Sequence, residues 1–127
     1  MNELPKKKIK NGIVYTLDEE TQTYLPFFEE DNEPIEIGRF GRAREQYLKE
    51  HKDVTYMELL LSNRLTAHLI ETDEQAYRMK EDIMQKMAAA EGTNEELKAK
   101  DQMEWVRRMN SYQMTAEEVI MKELIYV

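Results

Sequence analysis

The sequence predicts a mainly α-helical protein: a long antiparallel helical hairpin with two short helices and a small N-terminal β-hairpin. The first observation is an apolar stripe at helical spacing across residues 101–126, which include the only Trp of the chain. The second is a stripe of similar length across residues 55–92. A last helix of about 36 Å cannot bury its stripe alone, so we pair the two segments. The third observation is Asn11-Gly12, the strongest short hairpin signal in a sequence.

Length and composition limit the classes of protein to consider. A chain of 127 residues suits one domain, in which we expect residues 1–36 to form the β-hairpin and an acidic loop, and residues 37–127 the helical part. The net charge of −8 argues against non-specific binding of nucleic acid or membrane by the whole surface, although it allows a local basic patch. The absence of Cys excludes disulfides and thiolate sites. With no apolar leader or membrane span, we expect a cytoplasmic protein.

Residues 6–25 have the pattern of β structure. Short runs flank Asn11-Gly12, and residues 18–20 predict a second turn into a third run. Ile13, Tyr15 and Leu17 share one face, and because so small a hairpin is marginal alone, we expect it to pack on the helices. Four lysines among residues 6–10 indicate a solvated edge strand, with a nucleic-acid-binding arm as the alternative.

The segment of residues 37–52 is rich in positive charge, unlike the acidic sequence before it. Residues 39–49 contain four positive side chains and one negative side chain in an otherwise acidic chain. Either the arginines pair with neighbouring acids, or they contact phosphate or an acidic partner, since a guanidinium group matches phosphate geometry. Gly38 and Gly41 would leave the backbone free to approach a partner. The candidate DNA- or partner-binding residues are Arg39, Arg42, Arg44, Lys49 and Lys52.

The predicted hairpin carries several start and stop signals. Thr55 opens a capping box, and Gly92 stands where a helix of residues 55–92 would end. Ser62-Asn63 and the stretch that begins at Thr72 are weak points, at which the helix is expected to kink or restart. Residues 93–99 predict a short helix capped by its first residues, and Asp101 predicts the cap of the last helix.

The apolar residues of the two long helices predict a core and an assembly. We expect Trp105 to be largely buried between the last helix and residues 59–69. Both helices are rich in Met, a side chain that fills irregular gaps and is frequent on adaptable binding surfaces. Two long stripes provide more apolar surface than one hairpin can cover, so we expect a homodimer through helical faces.

The residues provide no recognisable catalytic, cofactor or metal site. The acids Glu29, Glu30, Asp31 and Glu33 cluster in one loop, but without the spacing and Gly of a calcium loop. His51 and His68 are the only histidines, and we interpret His68 as a half-buried helix residue. The sequence has no metalloprotease, serine-hydrolase or dinucleotide-binding motif. We therefore expect a protein that is not an enzyme.

Many short segments, in order along the chain, are similar to one known family. They are Ile37-Gly38-Arg39-Phe40-Gly41-Arg42, Tyr47-Leu48-Lys49-Glu50-His51, Leu59-Leu60-Leu61-Ser62, Arg64-Leu65, His68-Leu69, Asp73-Glu74, Thr93, Glu96-Leu97-Lys98-Ala99, Met103-Glu104-Trp105-Val106, Arg108-Met109-Asn110, Ala116-Glu117-Glu118 and Glu123-Leu124-Ile125-Tyr126. Together they resemble the transposon-encoded protein TnpV family of bacterial mobile elements. The chain departs from the family at Ser62-Asn63-Arg64-Leu65, where a Ser-Gly-Lys/Arg-Leu turn is expected. Asn also adopts the left-handed conformation, so a break can form there.

The resemblance implies carriage on a transposon or integrative element, beside recombination and transfer genes. It brings no established activity and no set of functional residues. The functional hypothesis is a non-enzymatic accessory protein that contacts a recombinase or another mobile-element protein, or DNA. The alternative is an oligomeric interaction or scaffold module with no DNA contact.

Overall fold

The computed structural model describes residues 4–28 and 35–127. It confirms a mainly helical protein with a small N-terminal sheet, which is a three-stranded antiparallel meander. The predicted acidic cluster at residues 29–33 lies outside the described residues. The elements are β1 (Lys7–Lys10), β2 (Ile13–Asp18), β3 (Thr23–Pro26), α1 (Arg39–His51), α2 (Asp53–Leu61), α3 (Leu65–Glu91), α4 (Glu95–Lys100), α5 (Gln102–Ile120) and a π-helical turn (Met121–Ile125).

The chain divides into two compact units, Met1–Asp73 and Glu74–Val127, and the division falls within α3. In the first unit, the meander follows from its turn residues. Asn11 and Gly12 adopt φ of 55° and 75°, the left-handed values that a two-residue hairpin turn requires, so this predicted turn is confirmed. Strand β2 pairs with both neighbours, with Val14 opposite Ile9 on β1.

The meander packs on α3 through the face that contains Val14. Val14, Phe27 and Ala67 form one buried cluster. Ile13, Tyr15 and Leu17 alternate with this face and are only partly buried. A second cluster joins the helices of this unit; it consists of Leu48, Leu65 and Leu69, with Ile37, Tyr56 and Leu59 around them.

The segment predicted as one helix of residues 55–92 is two helices, so the long hairpin is not confirmed in its predicted form. The break falls at the predicted weak point, where Asn63 adopts a φ of 60° and its side-chain amide donates to the carbonyl of Phe27 at 2.9 Å. Thr55 is not a cap, because α2 begins two residues earlier, at Asp53. No break occurs at Thr72, which is buried and donates its hydroxyl to the carbonyl of His68 within the helix at 2.8 Å.

The second unit begins within α3 and contains the two capped helices that follow. Gly92 ends α3 with a φ of 68°, as predicted. The cap of α4 is Asn94, which accepts from the N–H of Leu97, and Thr93 is instead buried against the hydroxyl of Tyr112. Asp101 caps α5, as predicted.

The core of the second unit lies further along α5 than the sequence suggested. Its buried apolar residues are Ala76 on α3 and, towards the C-terminus, Tyr112, Ala116, Ile120 and Ile125. Trp105 is only half-buried, which corrects the expectation of a largely buried core residue, and Val106 is 41% exposed. The predicted stripe of residues 101–126 included more residues than the core buries, because Trp105 and Met109, near the start of α5, line a groove instead of the core.

Substitutions at Asn63 test the turn between α2 and α3. An Asn63→Ala variant loses the hydrogen bond to Phe27 and strains the left-handed backbone, so its free energy of unfolding should fall by about 2 kcal/mol. Asn63→Gly keeps the conformation and should cost less than about 1 kcal/mol. Ser62→Ala, beside it, should change stability by less than about 0.5 kcal/mol. Equal urea midpoints for the Ala and Gly variants would show that the backbone there is not strained.

Candidate functional site

The candidate basic residues lie on α1, and the helix separates them into two groups. Arg39, Arg42, Gln46 and Lys49 recur every three or four residues and are all exposed, so they form one face. We call this the α1 face. Arg44 lies on the opposite side and is half-buried.

Arg44 binds inside the first unit instead of joining the α1 face. Its Nε donates to Nε2 of His68 at 3.3 Å, and its guanidinium lies 5.8 Å from the Tyr47 ring. Burial, and then the charge of Arg44, lower the pKa of His68 below its ordinary value of 6.5. His68 is therefore a half-buried helix residue, as predicted, and it accepts the hydrogen bond from Arg44. The structure places Arg44 against His68 and away from the other candidate basic residues.

The other basic residues remain at the surface. Lys49 pairs with Glu45 at 3.5 Å, and both side chains are substantially exposed. The guanidinium of Arg39 lies 5.2 Å from the ring of Phe40. Lys52 follows the end of α1 and is exposed. An exposed ion pair contributes at most about 1 kcal/mol, so the Lys49 ammonium can exchange Glu45 for another anion.

The glycines of the Gly38-Arg39-Phe40-Gly41 segment serve internal packing. The N-cap residue of α1 is Gly38, which has no side chain to accept hydrogen bonds from the first N–H groups of the helix. Instead, Oδ1 of Asp73 on α3 accepts from the N–H groups of Phe40 and Gly41, each at 3.1 Å. A Cβ at Gly38 would overlap the Asp73 carboxylate, and one at Gly41 would lie 2.8 Å from the carbonyl oxygen of Leu69. The expectation that these glycines serve a partner is corrected, because the close approach is to α3.

Helix α2 exposes an apolar face, although two of its residues, Met57 and Leu61, lie in the stripe that the sequence predicted to face the core. None of its residues is buried, and Val54, Met57 and Leu61 are exposed by 68%, 47% and 80%. These three recur at the spacing of one helical face, which we call the α2 face. The signal was present in Leu59-Leu60-Leu61, since three successive positions cover about 200° of a helix and one core stripe cannot bury them all.

The second unit contains a polar cluster around Tyr112. Its hydroxyl contacts the Glu91 carboxylate and the Thr93 hydroxyl, and burial, followed by the Glu91 contact, raises the pKa of Tyr112. Hydrogen bonds from Arg107 and Arg108 lower the pKa of Glu104. A cavity of about 580 Å³ adjoins these groups. The two acids and two arginines of the cluster, Glu91, Glu104, Arg107 and Arg108, balance one another in charge. We therefore assign the cluster a structural role in holding α3 and α5 together.

Two further observations concern metals and membranes. Within residues 4–28 and 35–127, no three His, Asp or Glu side chains lie close enough together to hold a metal ion. None of the helices in these ranges combines the length and the apolar character needed to cross a bilayer.

Comparison with known protein families identifies a family for this chain. The sequence profile of the transposon-encoded protein TnpV family matches residues 15–125 of the 127-residue chain. The chain belongs to the TnpV family. Comparisons with curated proteins and with solved structures return no match.

The structure shows where some of the segments that resemble the TnpV family lie and what they contact. The Gly38-to-Gly41 segment and Asp73, which carried part of that resemblance, are the two sides of one contact between α1 and α3. The expected family glycine and Asn63 both suit the left-handed turn between α2 and α3. These segments therefore position the α1 and α2 faces.

The cap of α1 can be tested at Asp73. Asp73→Ala removes the acceptor of two N–H groups and should lower the free energy of unfolding by about 2 kcal/mol. Asp73→Asn keeps an acceptor oxygen and should retain at least half of that stability. Glu74→Ala, at the next and exposed position, is the matched control. Chemical denaturation would refute the cap if Asp73→Ala and Glu74→Ala had the same midpoint.

The pair of Arg44 and His68 predicts how stability depends on pH. Because the folded pKa of His68 is below 6.5, the unfolded chain takes up a proton at higher pH than the folded chain does. The contribution of His68 is therefore complete above pH 6.5 and is lost as the pH falls towards the folded pKa. His68→Gln should flatten the decrease in melting temperature between pH 7.5 and pH 5.5, whereas His51→Gln should not. Parallel curves for wild type and His68→Gln would contradict this assignment.

Proposed function

We propose that this TnpV protein is a non-enzymatic accessory protein of a bacterial mobile element, and that it acts in the cytoplasm by binding a protein partner through the α2 face. A recombinase or another protein of the element is the expected partner. The supporting observation is the exposure of Val54, Met57 and Leu61 on a helix without a buried residue.

The chemistry of the α2 face favours a protein over a nucleic acid as its partner. Val, Met and Leu side chains offer no donor for phosphate, and burying such a side chain contributes about 1.5–3 kcal/mol before the costs of association. The helix also carries Asp53 and Glu58, which would repel a phosphate backbone. An apolar surface of a partner protein fits both properties.

The assignment to a binding role also rests on the contacts of the titratable groups. His68 is held by Arg44, and Tyr112 by Glu91 and Thr93. These internal contacts give His68 and Tyr112 structural roles that explain their positions without a catalytic function. The alternative of an oligomeric scaffold uses the same α2 face with a second copy as the partner.

The α1 face supports DNA contact as a second candidate function. Arg39, Arg42 and Lys49 are exposed on one side of a helix and at a spacing that can reach successive phosphates. Lys52 extends the basic character beyond the helix. Three observations weaken this candidate: Arg44 binds internally, Lys49 pairs with Glu45, and Glu50 lies beside the face.

A binding experiment with the purified recombinase of the same element tests the proposal. Val54→Ser, Met57→Ser and Leu61→Ser combined should weaken binding at least tenfold in calorimetry, because the contact loses its apolar area. The melting temperature should change little, since all three side chains are exposed. Leu25→Ser, at a residue that is 52% exposed on β3, is the matched control and should bind like wild type.

The same proteins distinguish the second candidate when titrated with DNA from the ends of the element at several salt concentrations. If DNA is the partner, Arg39→Ala, Arg42→Ala and Lys49→Ala combined should reduce the slope of log K against log salt by up to about three. Salt-dependent DNA binding without recombinase binding would replace our proposal with the DNA function. A dimer that the α2 substitutions dissociate, without recombinase binding, would replace it with the scaffold.

A further inference from the structure

The second unit contains a groove between α3 and α5 that no role described above uses. On α3, Tyr77, Glu81, Met84 and Ala88 lie along one wall. They span 12 residues, and the 11 rises from the first to the last make the wall about 16 Å long, or three helical turns. Trp105 and Met109 of α5 line the other side, and residues 93–95 close one end. The groove is open to solvent and has a volume of about 670 Å³.

The floor of the groove is apolar and adaptable. Met84, Ala88, Trp105 and Met109 are all partly exposed to it, and Tyr77 at its edge is 47% exposed. Ala88 is the smallest of these side chains, so the space above it is open. Methionine adjusts to apolar groups of different shape, and aromatic rings contribute much of the energy at interfaces. Such a floor suits the apolar side of an elongated ligand.

The charged side chains at the rim of the groove determine whether a basic or an acidic ligand is favoured. The one lysine among the lining residues, Lys80, already pairs with Glu117 at 3.5 Å, and both side chains are mostly covered. Glu81 and Glu95 also line the groove and are exposed. Neither forms an ion pair with the described part of the chain. The ammonium of Lys98 lies 4.7 Å from the Trp105 ring, so one cation accompanies these two acids and the net charge at the rim is negative.

We infer that this groove is a docking site for a basic amphipathic helix of a partner protein. The apolar face of that helix lies on Met84, Ala88 and Trp105, and its Lys or Arg side chains reach Glu81 and Glu95. The length of the wall matches three turns of a helix. A second copy of this chain fits less well, since its net charge is −8 and its α2 face is flanked by acids.

This inference is independent of the proposed function. Every residue of the groove belongs to the unit Glu74–Val127, whereas the α2 face belongs to Met1–Asp73. The substitutions that test one surface leave the other intact, so the failure of one proposal is distinguishable from the failure of the other.

The only Trp of the chain lies in the groove and reports its occupation. The probe is a helical peptide of about 14 residues with a Leu face and a Lys face, which spans about 21 Å. Its Lys residues are replaced by Glu in the control peptide. The Lys peptide should shift Trp105 emission to shorter wavelength with saturation, and the Glu peptide should bind at least tenfold more weakly. No saturable shift with the Lys peptide, or equal affinity for the two peptides, would overturn the inference.

Substitutions then establish where the peptide binds. Ala88→Met fills the groove and should weaken binding of the Lys peptide at least tenfold, whereas Ala90→Met, at an exposed position of the same helix outside the groove, should not. Glu81→Gln with Glu95→Gln should weaken it several-fold and lower its salt dependence, unlike Glu118→Gln with Glu123→Gln. Circular dichroism checks that each variant is folded. Unchanged binding by the Ala88→Met variant, or a dimer that this substitution dissociates, would refute the proposed occupant.

Discussion

The organisation of the first unit depends on one carboxylate. Asp73 accepts two N–H groups at the start of α1 and thereby provides the cap that Gly38 cannot provide. The partial positive charge at a helix N-terminus adds to this interaction. Because the carboxylate belongs to α3, the cap also fixes where α1 lies relative to α3. The buried contacts of Leu48 with Leu65 and Leu69 follow from that position.

This arrangement divides the roles of the basic residues on α1. With the N-terminus of α1 held against α3, one side of the helix must face the core, and Arg44 is on that side. The side chain remains ionised, so it needs an acceptor, and His68 supplies one. The α1 face points away from these contacts. The charge reversal in the sequence thus reflects an internal polar contact and an exposed surface.

The sequence was sufficient to predict those turns, breaks and caps that depend on residues close together in the chain. Asn11-Gly12, Asn63, Gly92 and Asp101 each act through their own backbone preferences or through an atom three residues away. Prediction failed where the partner is distant. The Asp73 cap joins residues 32 and 33 positions apart, and the selection of Arg44 over Arg39 or Arg42 requires His68 to lie opposite it. The exposure of the α2 face and the groove beside Trp105 likewise depend on which apolar positions the fold leaves uncovered.

The α2 face also affects how copies of the protein behave towards one another. Apolar side chains as exposed as Leu61 attract similar surfaces at short range, so crowding of free copies favours their clustering. A net charge of −8 opposes that attraction by repulsion between whole molecules. The repulsion acts over about 8 Å at physiological ionic strength and contracts as salt is added, whereas the apolar attraction does not. The acidic composition therefore opposes self-association of a chain that exposes an apolar helix face, and added salt weakens this protection.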